Sequence, residues 1–164
     1  MTAPNTAPEP TPDPDRPEDP AAAAWFDAVA TEHGAIYGYG IVSAHSTPED
    51  NWLVAEAMAQ HRQRREEALE ILAGRRVTAP LPAPGYQLPT EVADPGDAAE
   101  LAVRMEADTA TAWRAVLEQA EDPQDRTFAL TAMTQAAVLA AWWRSILGVP
   151  PVTVAFPGGS EQVG

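Results

Sequence analysis

Residues 75–96 read RRVTAPLPAPGYQLPTEVADPG. These 22 residues contain five prolines and two glycines. Because proline lacks the amide hydrogen that a helix interior needs, no helix is expected to cross this stretch. At roughly 3.3 Å per residue, an extended segment of this length spans an entire helical domain. The stretch therefore predicts a long connection between two halves of the fold.

Apolar residues at helical spacing flank this connection on both sides and predict four helices. We expect them at residues 21–44, 48–74, 97–121 and 123–147. The links within each half are short, so each half is expected to be an antiparallel hairpin. The sequence thus predicts an all-α, four-helix bundle of two antiparallel hairpins joined by a long crossover, which is typical of ferritin-like proteins.

The ends of the chain differ in composition from this predicted bundle. Residues 1–20 hold seven of the seventeen prolines among acidic residues, so we expect a disordered tail before a bundle at 21–147. Gly148, Pro150 and Pro151 end the fourth helix. Residues 148–164 are expected to form an extended tail, with Val152–Phe156 packed on the bundle as a strap.

Charge and composition restrict the possible partners and compartment. The net charge is -14, with ten arginines and no lysine, which disfavours binding to nucleic acid and to anionic membrane surfaces. The chain has no cysteine, which excludes disulfides and thiolate chemistry. Neither a signal peptide nor a transmembrane stretch is recognisable, so we expect a cytoplasmic protein.

One polar residue near the middle of each helix interrupts its predicted apolar stripe. These residues are Glu32, His61, Glu106 and Gln135. Helices packed side by side share a midplane, so the four side chains are expected to meet at the bundle centre. A buried carboxylate is costly unless it is paired, protonated or bound to a metal.

The first interpretation of this polar centre needs no metal. Arg65 follows His61 by one helical turn, and it is expected to enter the bundle and pair with Glu32 and Glu106. Such a network fixes helix register more than it stabilises the fold.

The second interpretation is a mononuclear iron or manganese site formed by Glu32, His61 and Glu106, since two carboxylates and an imidazole suit either ion. One observation distinguishes the metal-free interpretation from the metal interpretation. An Arg65 that points to solvent would leave the carboxylates without a counter-charge and favour a metal.

The fourth helix provides a further expectation about the core. Its predicted core-facing stripe is Phe128, Thr131, Val138, Trp142 and Ile146.

The polar positions resemble those of ferritin-like di-iron proteins, which place a glutamate on two helices and Glu-x-x-His on the other two. Glu32, Glu106 and His61 match three of six ligands, whereas the resemblance places Met58, Gln135 and Val138 where the other three would be. The resemblance therefore implies an incomplete di-iron site and a protein that is not a di-iron oxidase.

Four segments resemble a small bacterial ferritin-like family without an assigned function. They are EHGAIYGYG, HRQRREE, GYQLP and RMEADTATAWRAV, and the resemblance extends over about residues 22–157. It implies the fold and no particular activity.

Glycines in the first helix indicate a close approach by another backbone. Gly34 and Gly38 lie one turn apart on one face, although each glycine costs a helix roughly 1 kcal/mol relative to alanine. Either the crossover or the C-terminal strap packs there, or the face forms a homodimer. Both alternatives stay open.

Overall fold

The computed structural model describes residues 12–159, which contain four α-helices and no strand. The helices are α1 (Pro20–His45), α2 (Asn51–Gly74), α3 (Pro95–Gln119) and α4 (Pro123–Leu147). A short 3₁₀ turn, Pro48–Asp50, precedes α2. The predicted all-α four-helix fold is confirmed, while most of the predicted N-terminal tail (1–11) and the last five residues lie outside the described part.

An Asp-Pro pair opens three of the four helices. Asp19, Asp94 and Asp122 each accept a hydrogen bond from a backbone amide in the first turn of the helix that follows. Proline suits the first helical position because its missing amide hydrogen has no intrahelical partner there. The cap of α3 is therefore Asp94, and the helix begins two residues before the predicted start at 97.

Two apolar clusters fill the bundle. The first cluster joins the C-terminal parts of α1 and α4 to the N-terminal parts of α2 and α3, and includes Tyr39, Leu53, Leu101 and Trp143. The second cluster joins the opposite ends of the four helices, and includes Trp25, Leu72, Trp113 and Ala129. Each hairpin is thus antiparallel. The helices α1 and α3 pack extensively against each other, whereas α2 and α4 make the smallest contact among the helix pairs that touch.

The connection between α2 and α3, residues 75–94, contacts both clusters. Val77 packs against the second cluster, next to the end of α2. Leu88 and Val92 pack against the first cluster, next to the start of α3. Between these points, the carbonyl oxygen of Pro80 lies 3.2 Å from Nε2 of the buried His33 on α1.

The core-facing stripe predicted for α4 is correct at Phe128, which packs against the second cluster, and wrong at the remaining positions. Val138, Trp142 and Ile146 are exposed by 51%, 50% and 41%. The buried side chains of α4 are Ala129, Ala132, Ala136, Leu139, Ala140 and Trp143. Small residues thus allow α3 and α4 to lie close together, and the bulky ones that dominate the sequence pattern lie outside. Trp142 packs edge-on against Trp52 of α2 at this surface.

The C-terminal segment after α4 folds back onto the bundle. Gly148, with a φ of 66°, ends α4 in the left-handed conformation that glycine adopts without strain. Arg144 then donates to the carbonyl oxygen of Val152 over 3.3 Å. Further along, Gly158 approaches α3 so closely that a Cβ there would lie 2.6 Å from the carbonyl oxygen of Ala110. Residues 151–159 therefore lie over α3 and α4.

None of the helices in residues 12–159 combines the length and apolar character that crossing a membrane requires.

Candidate functional site

A network of polar side chains lies where the two apolar clusters meet, and we call it the polar centre. Every helix contributes two members: Glu32 and Tyr39 from α1, His61 and Arg64 from α2, Glu106 and Trp113 from α3, and Gln135 and Trp143 from α4.

Three of the residues singled out from the sequence are fully buried and in contact with one another. The imidazole of His61 lies between two carboxylates. Its Nδ1 is 2.6 Å from Oε2 of Glu32, and its Nε2 is 3.1 Å from Oε1 of Glu106. All three residues have no exposed surface. A doubly protonated imidazole donates one hydrogen to each carboxylate, which favours the charged form of His61. Nη2 of Arg64 lies 2.9 Å from the same Nδ1, and this neighbouring cation opposes the charged form.

The buried arginine is Arg64, and the expectation that Arg65 enters the bundle is corrected. Arg64 is 4% exposed and donates through Nε to Oε1 of Glu32 over 2.7 Å. Arg65 instead donates to Glu66 beside it, and its side chain is 26% exposed. An α-helix turns about 100° per residue, so positions 64 and 65 lie on opposite sides of His61. Glu32 lies on the side of α2 that Arg64 occupies.

Among residues 12–159, Arg64 is the hydrogen-bond partner that joins the side chain of Gln135 to the polar centre. Its side-chain oxygen accepts from Nη1 of Arg64 over 3.1 Å, and the residue is half-buried. A groove of about 530 Å³ lies between α2 and α4. Arg64 and Gln135 line it, together with Gln60, Thr127 and Thr131.

Aromatic donors complete the polar centre. The indole of Trp113 donates to Oε1 of Glu32 over 2.6 Å, and the hydroxyl of Tyr39 donates to Oε1 of Glu106 over 2.5 Å. The indole of Trp143 donates in turn to the hydroxyl oxygen of Tyr39 over 2.9 Å. The sequence offered one signal for these contacts, since a buried indole or phenol generally requires a hydrogen-bond partner.

The charges of the polar centre balance. Burial opposes the charged form of His61, but the carboxylates of Glu106 and Glu32 outweigh burial and raise the pKa of His61 to about 9. Burial likewise opposes ionisation of Glu32, yet the hydrogen bond from His61 and the charge of Arg64 lower its pKa below the ordinary value. Two carboxylates therefore face one imidazolium and one guanidinium.

One atom of the centre is left without a partner. Oε2 of Glu106 is buried and has no hydrogen-bond donor among residues 12–159, because Tyr39 and His61 both donate to Oε1. Buried carboxylate oxygens are normally hydrogen-bonded, so this one marks a place where a donor is expected.

Comparison with known proteins places the chain in a family. Residues 24–161 match the model of the family described as Domain of unknown function (DUF4439). The chain belongs to this family. A solved structure titled as that of a conserved hypothetical protein, rv2844, from Mycobacterium tuberculosis, is 57% identical over 80% of this chain and 100% of that one, with a TM-score of 0.77. A comparison with curated proteins finds no match.

The side chains of this DUF4439 protein do not fit a di-iron site. Met58 and Val138 offer no metal ligand, and Val138 is half exposed and faces away from the centre. In residues 12–159, no group of three or more histidine and acidic side chains is arranged to hold a metal ion. Both ring nitrogens of His61 are engaged by carboxylates, and Arg64 occupies Glu32.

The helix 1 glycines of this DUF4439 protein are approached from within the chain. The ring of Tyr86, in the long connection, would lie 3.7 Å from a Cβ on Gly34. The sulfur of Met105 on α3 occupies the space where a Cβ of Gly38 would point. The contact with Met105 accounts for Gly38, whereas a Cβ on Gly34 would be in ordinary van der Waals contact with Tyr86. A homodimer through this face stays a prediction.

Proposed function

We propose that this protein is a ferritin-like four-helix protein with a degenerate di-iron site and a structural or binding role that involves no catalysis. Its topology supports the ferritin-like assignment. Residues 75–94 leave α2 beside one apolar cluster and enter α3 beside the other. Such a passage along the whole bundle supports the proposal, because ferritin-like bundles have one long crossover.

The contacts of His61 carry the argument against a metal. A metal ligand must present a free lone pair, but a doubly protonated His61 has none, and both of its hydrogens point at carboxylates. Coordination of iron or manganese by Glu32, His61 and Glu106 would require His61 to lose one proton and would break the hydrogen bond from that ring nitrogen to its carboxylate. Metal affinity at such a centre falls accordingly.

Arg64 supports the same conclusion from the other side. Its guanidinium lies against Glu32 and supplies the counter-charge that a divalent ion would otherwise provide. Buried polar networks of this kind specify how helices pack rather than add stability. We therefore assign the polar centre the role of holding four helices in one arrangement.

Metal analysis tests this proposal. The protein is treated with a chelator, incubated aerobically with Fe(II) or Mn(II), desalted and examined by elemental analysis. We expect far less than one metal ion per chain in the wild type and in a Glu106→Ala control. About one ion per chain in the wild type, lost in the control, would contradict the proposal and restore the metal-dependent alternative.

An Arg64→Met variant makes the same test more sensitive. It removes the competing cation while leaving Glu32, His61 and Glu106 in place. The absence of stoichiometric metal in this variant as well would show that the imidazole bridge itself opposes binding. Metal uptake by Arg64→Met but not by the wild type would show that Arg64 took the place of the ion.

A further inference from the structure

The outward surface of α4 is apolar and uncharged. Residues 127–143 contain no charged residue, although 21% of the chain is charged. Six large apolar side chains at this surface are exposed by 38–54%, and we call them the α4 face: Val138, Trp142 and Ile146 from α4, Trp52 from α2, and Val152 and Val154 from the segment after α4. The fold therefore leaves a group of bulky apolar side chains in contact with water.

The α4 face is one continuous patch. Val138 and Trp142 are one turn apart on α4, and both line a groove of about 370 Å³ together with Val152. On the other side of α4, Trp142 packs edge-on against Trp52, with ring centroids 5.5 Å apart. Ile146 follows Trp142 by one more turn, and residues four apart on a helix are neighbours on its surface.

The size of the α4 face suits a protein interface. With the exposed fractions above, its six side chains present roughly 500–600 Å² of surface to water. The largest apolar patch on a typical monomer covers about 300–600 Å², and patches at this limit often bind another molecule. A standard interface buries about 800 Å² on each partner. The neutral residues Thr134, Ala141 and Ser145 line the same groove and extend the patch toward that size.

The charge of the chain restricts the partner. A net charge of -14 repels anionic membranes and nucleic acid, and a basic partner would bind the carboxylates that lie elsewhere on the molecule. A second copy of the chain is repelled by those carboxylates but meets no like charge at the α4 face. Residues 1–11 and 160–164 have Met1 and Val163 as their large apolar residues, too few to cover the face.

We propose that two copies of this chain associate through the α4 face, with a two-fold axis that passes near Val138. A contact of one face with its own copy closes after two chains and leaves no free face for further growth. The interface lies away from the glycines of α1, because α1 and α4 are diagonally opposite in the bundle.

An antiparallel arrangement of the two α4 helices matches the charges at the edges of the face. The contact between Trp52 and Trp142 shows that α2 begins beside the last turns of α4. Glu49 and Asp50 lie at that beginning, and Arg126 lies at the opposite end of α4. Antiparallel copies bring Arg126 of each toward the acidic residues of the other, whereas parallel copies bring two arginines together.

The dimer rests on the proposed function only in giving its binding role a partner. No member of the polar centre belongs to the α4 face, so metal content and oligomeric state are measured independently. A metal-loaded dimer would contradict the proposed function alone, and a metal-free monomer would contradict the dimer alone.

The experiment is sedimentation velocity of the full-length protein over the micromolar concentration range. We expect the wild type to reach twice the chain mass of 17.5 kDa and no more. Val138→Glu brings two carboxylates together near the axis and should raise the dissociation constant of the dimer about a hundredfold or more. Because Val138 is half exposed, this variant should stay folded, which circular dichroism verifies.

Leu81→Glu provides a matched control. Leu81 is 44% exposed and follows Pro80, whose carbonyl oxygen contacts His33 of α1 on the far side of the bundle. This variant adds the same charge and should remain a dimer. A wild type that is monomeric at every concentration, a dimer that persists in Val138→Glu, or equal loss in both variants would overturn the proposal.

The absence of cysteine allows a second test of the axis. A residue near a two-fold axis meets its own copy, so Val138→Cys should form a disulfide-linked dimer under mild oxidation much faster than Leu81→Cys. Equal rates in the two variants would contradict an axis near Val138.

Discussion

Replacing Arg64 by methionine should destabilise the protein strongly, because it leaves two buried carboxylates with one imidazolium. Arg64 is 4% exposed and bonds Glu32 through Nε over 2.7 Å and through Nη2 over 3.4 Å. Removing one partner of a buried pair costs about 3–5 kcal/mol. Glu32 keeps its bonds from His61 and Trp113, so we expect a loss near the lower limit, about 3 kcal/mol. For a chain of this size, that loss lowers the melting temperature by about 6–12 °C.

The neighbouring residue offers a matched control. Arg65→Met makes the same chemical change one position along α2, where the guanidinium pairs with Glu66 at the surface. This variant should stay within about 0.5 kcal/mol of the wild type, as exposed pairs contribute little. Urea unfolding at pH 7, followed by far-UV circular dichroism, measures both free energies of unfolding.

A double variant separates charge balance from lost packing. In Glu32→Gln with Arg64→Met, Glu106 and His61 remain as one balanced pair. We expect the double variant to be no less stable than Arg64→Met alone, because it removes the unpaired charge. Equal destabilisation by Arg64→Met and Arg65→Met would refute the reasoning. So would a double variant whose loss of stability equals the sum of the losses in Glu32→Gln and Arg64→Met measured separately.

Two other predictions follow from the same structure. The pKa of His61 is raised to about 9 in the folded state, so its contribution to stability is complete below about pH 6.5 and is lost as the pH rises through 9. The free energy of unfolding, measured from pH 7 to 10, should therefore fall less steeply in His61→Gln than in the wild type. Gly38→Ala should lower stability by about 1 kcal/mol, because the new methyl group meets Met105. Gly40→Ala should raise stability by about 0.5–1 kcal/mol, because nothing lies within 4 Å of its Cβ. Melting curves measure both effects, and equal effects would count against the packing described at Gly38.

The bounds of the helices were predictable to within three residues because local chemistry largely determines them. An aspartate that accepts from the first-turn amides, followed by a proline, begins α1, α3 and α4. Gly148 and the prolines after it end α4 for equally local reasons. Such signals act over three or four residues, so they can be recognised without knowledge of the partner helices.

The core face of α4 was not predictable in the same way. The predicted stripe included Val138, Trp142 and Ile146 because bulky apolar residues dominate hydrophobic patterns. The buried face consists largely of alanine, which contributes little to such a pattern and packs inward because the helices approach closely. Which face of an evenly apolar helix turns inward depends on its neighbours rather than on its own sequence.

The candidate site was likewise predictable only in part. Glu32, His61 and Glu106 attract attention in the sequence because ionisable residues within apolar stripes are costly. The choice between Arg64 and Arg65 cannot be made from spacing, since both positions lie within about 60° of His61 on the helix. The position of Glu32 and Gln135 on the neighbouring helices decides it.

The polar centre also bears on how the molecule unfolds. Hydrogen bonds lead from Trp143 through Tyr39, Glu106, His61 and Glu32 to Arg64 and Gln135, so the path begins and ends on α4 and visits all four helices. The bond from Arg64 to Gln135 joins α2 and α4, which make the smallest contact among the helix pairs that touch. If α1, α2 or α3 detached alone, a charged group left in the apolar interior would lose its partner. If α4 detached alone, Arg64 and Tyr39 would each lose a hydrogen-bond partner. Partial opening is therefore as costly as global unfolding, and the slowest-exchanging amides of all four helices should share a single cooperative unfolding event.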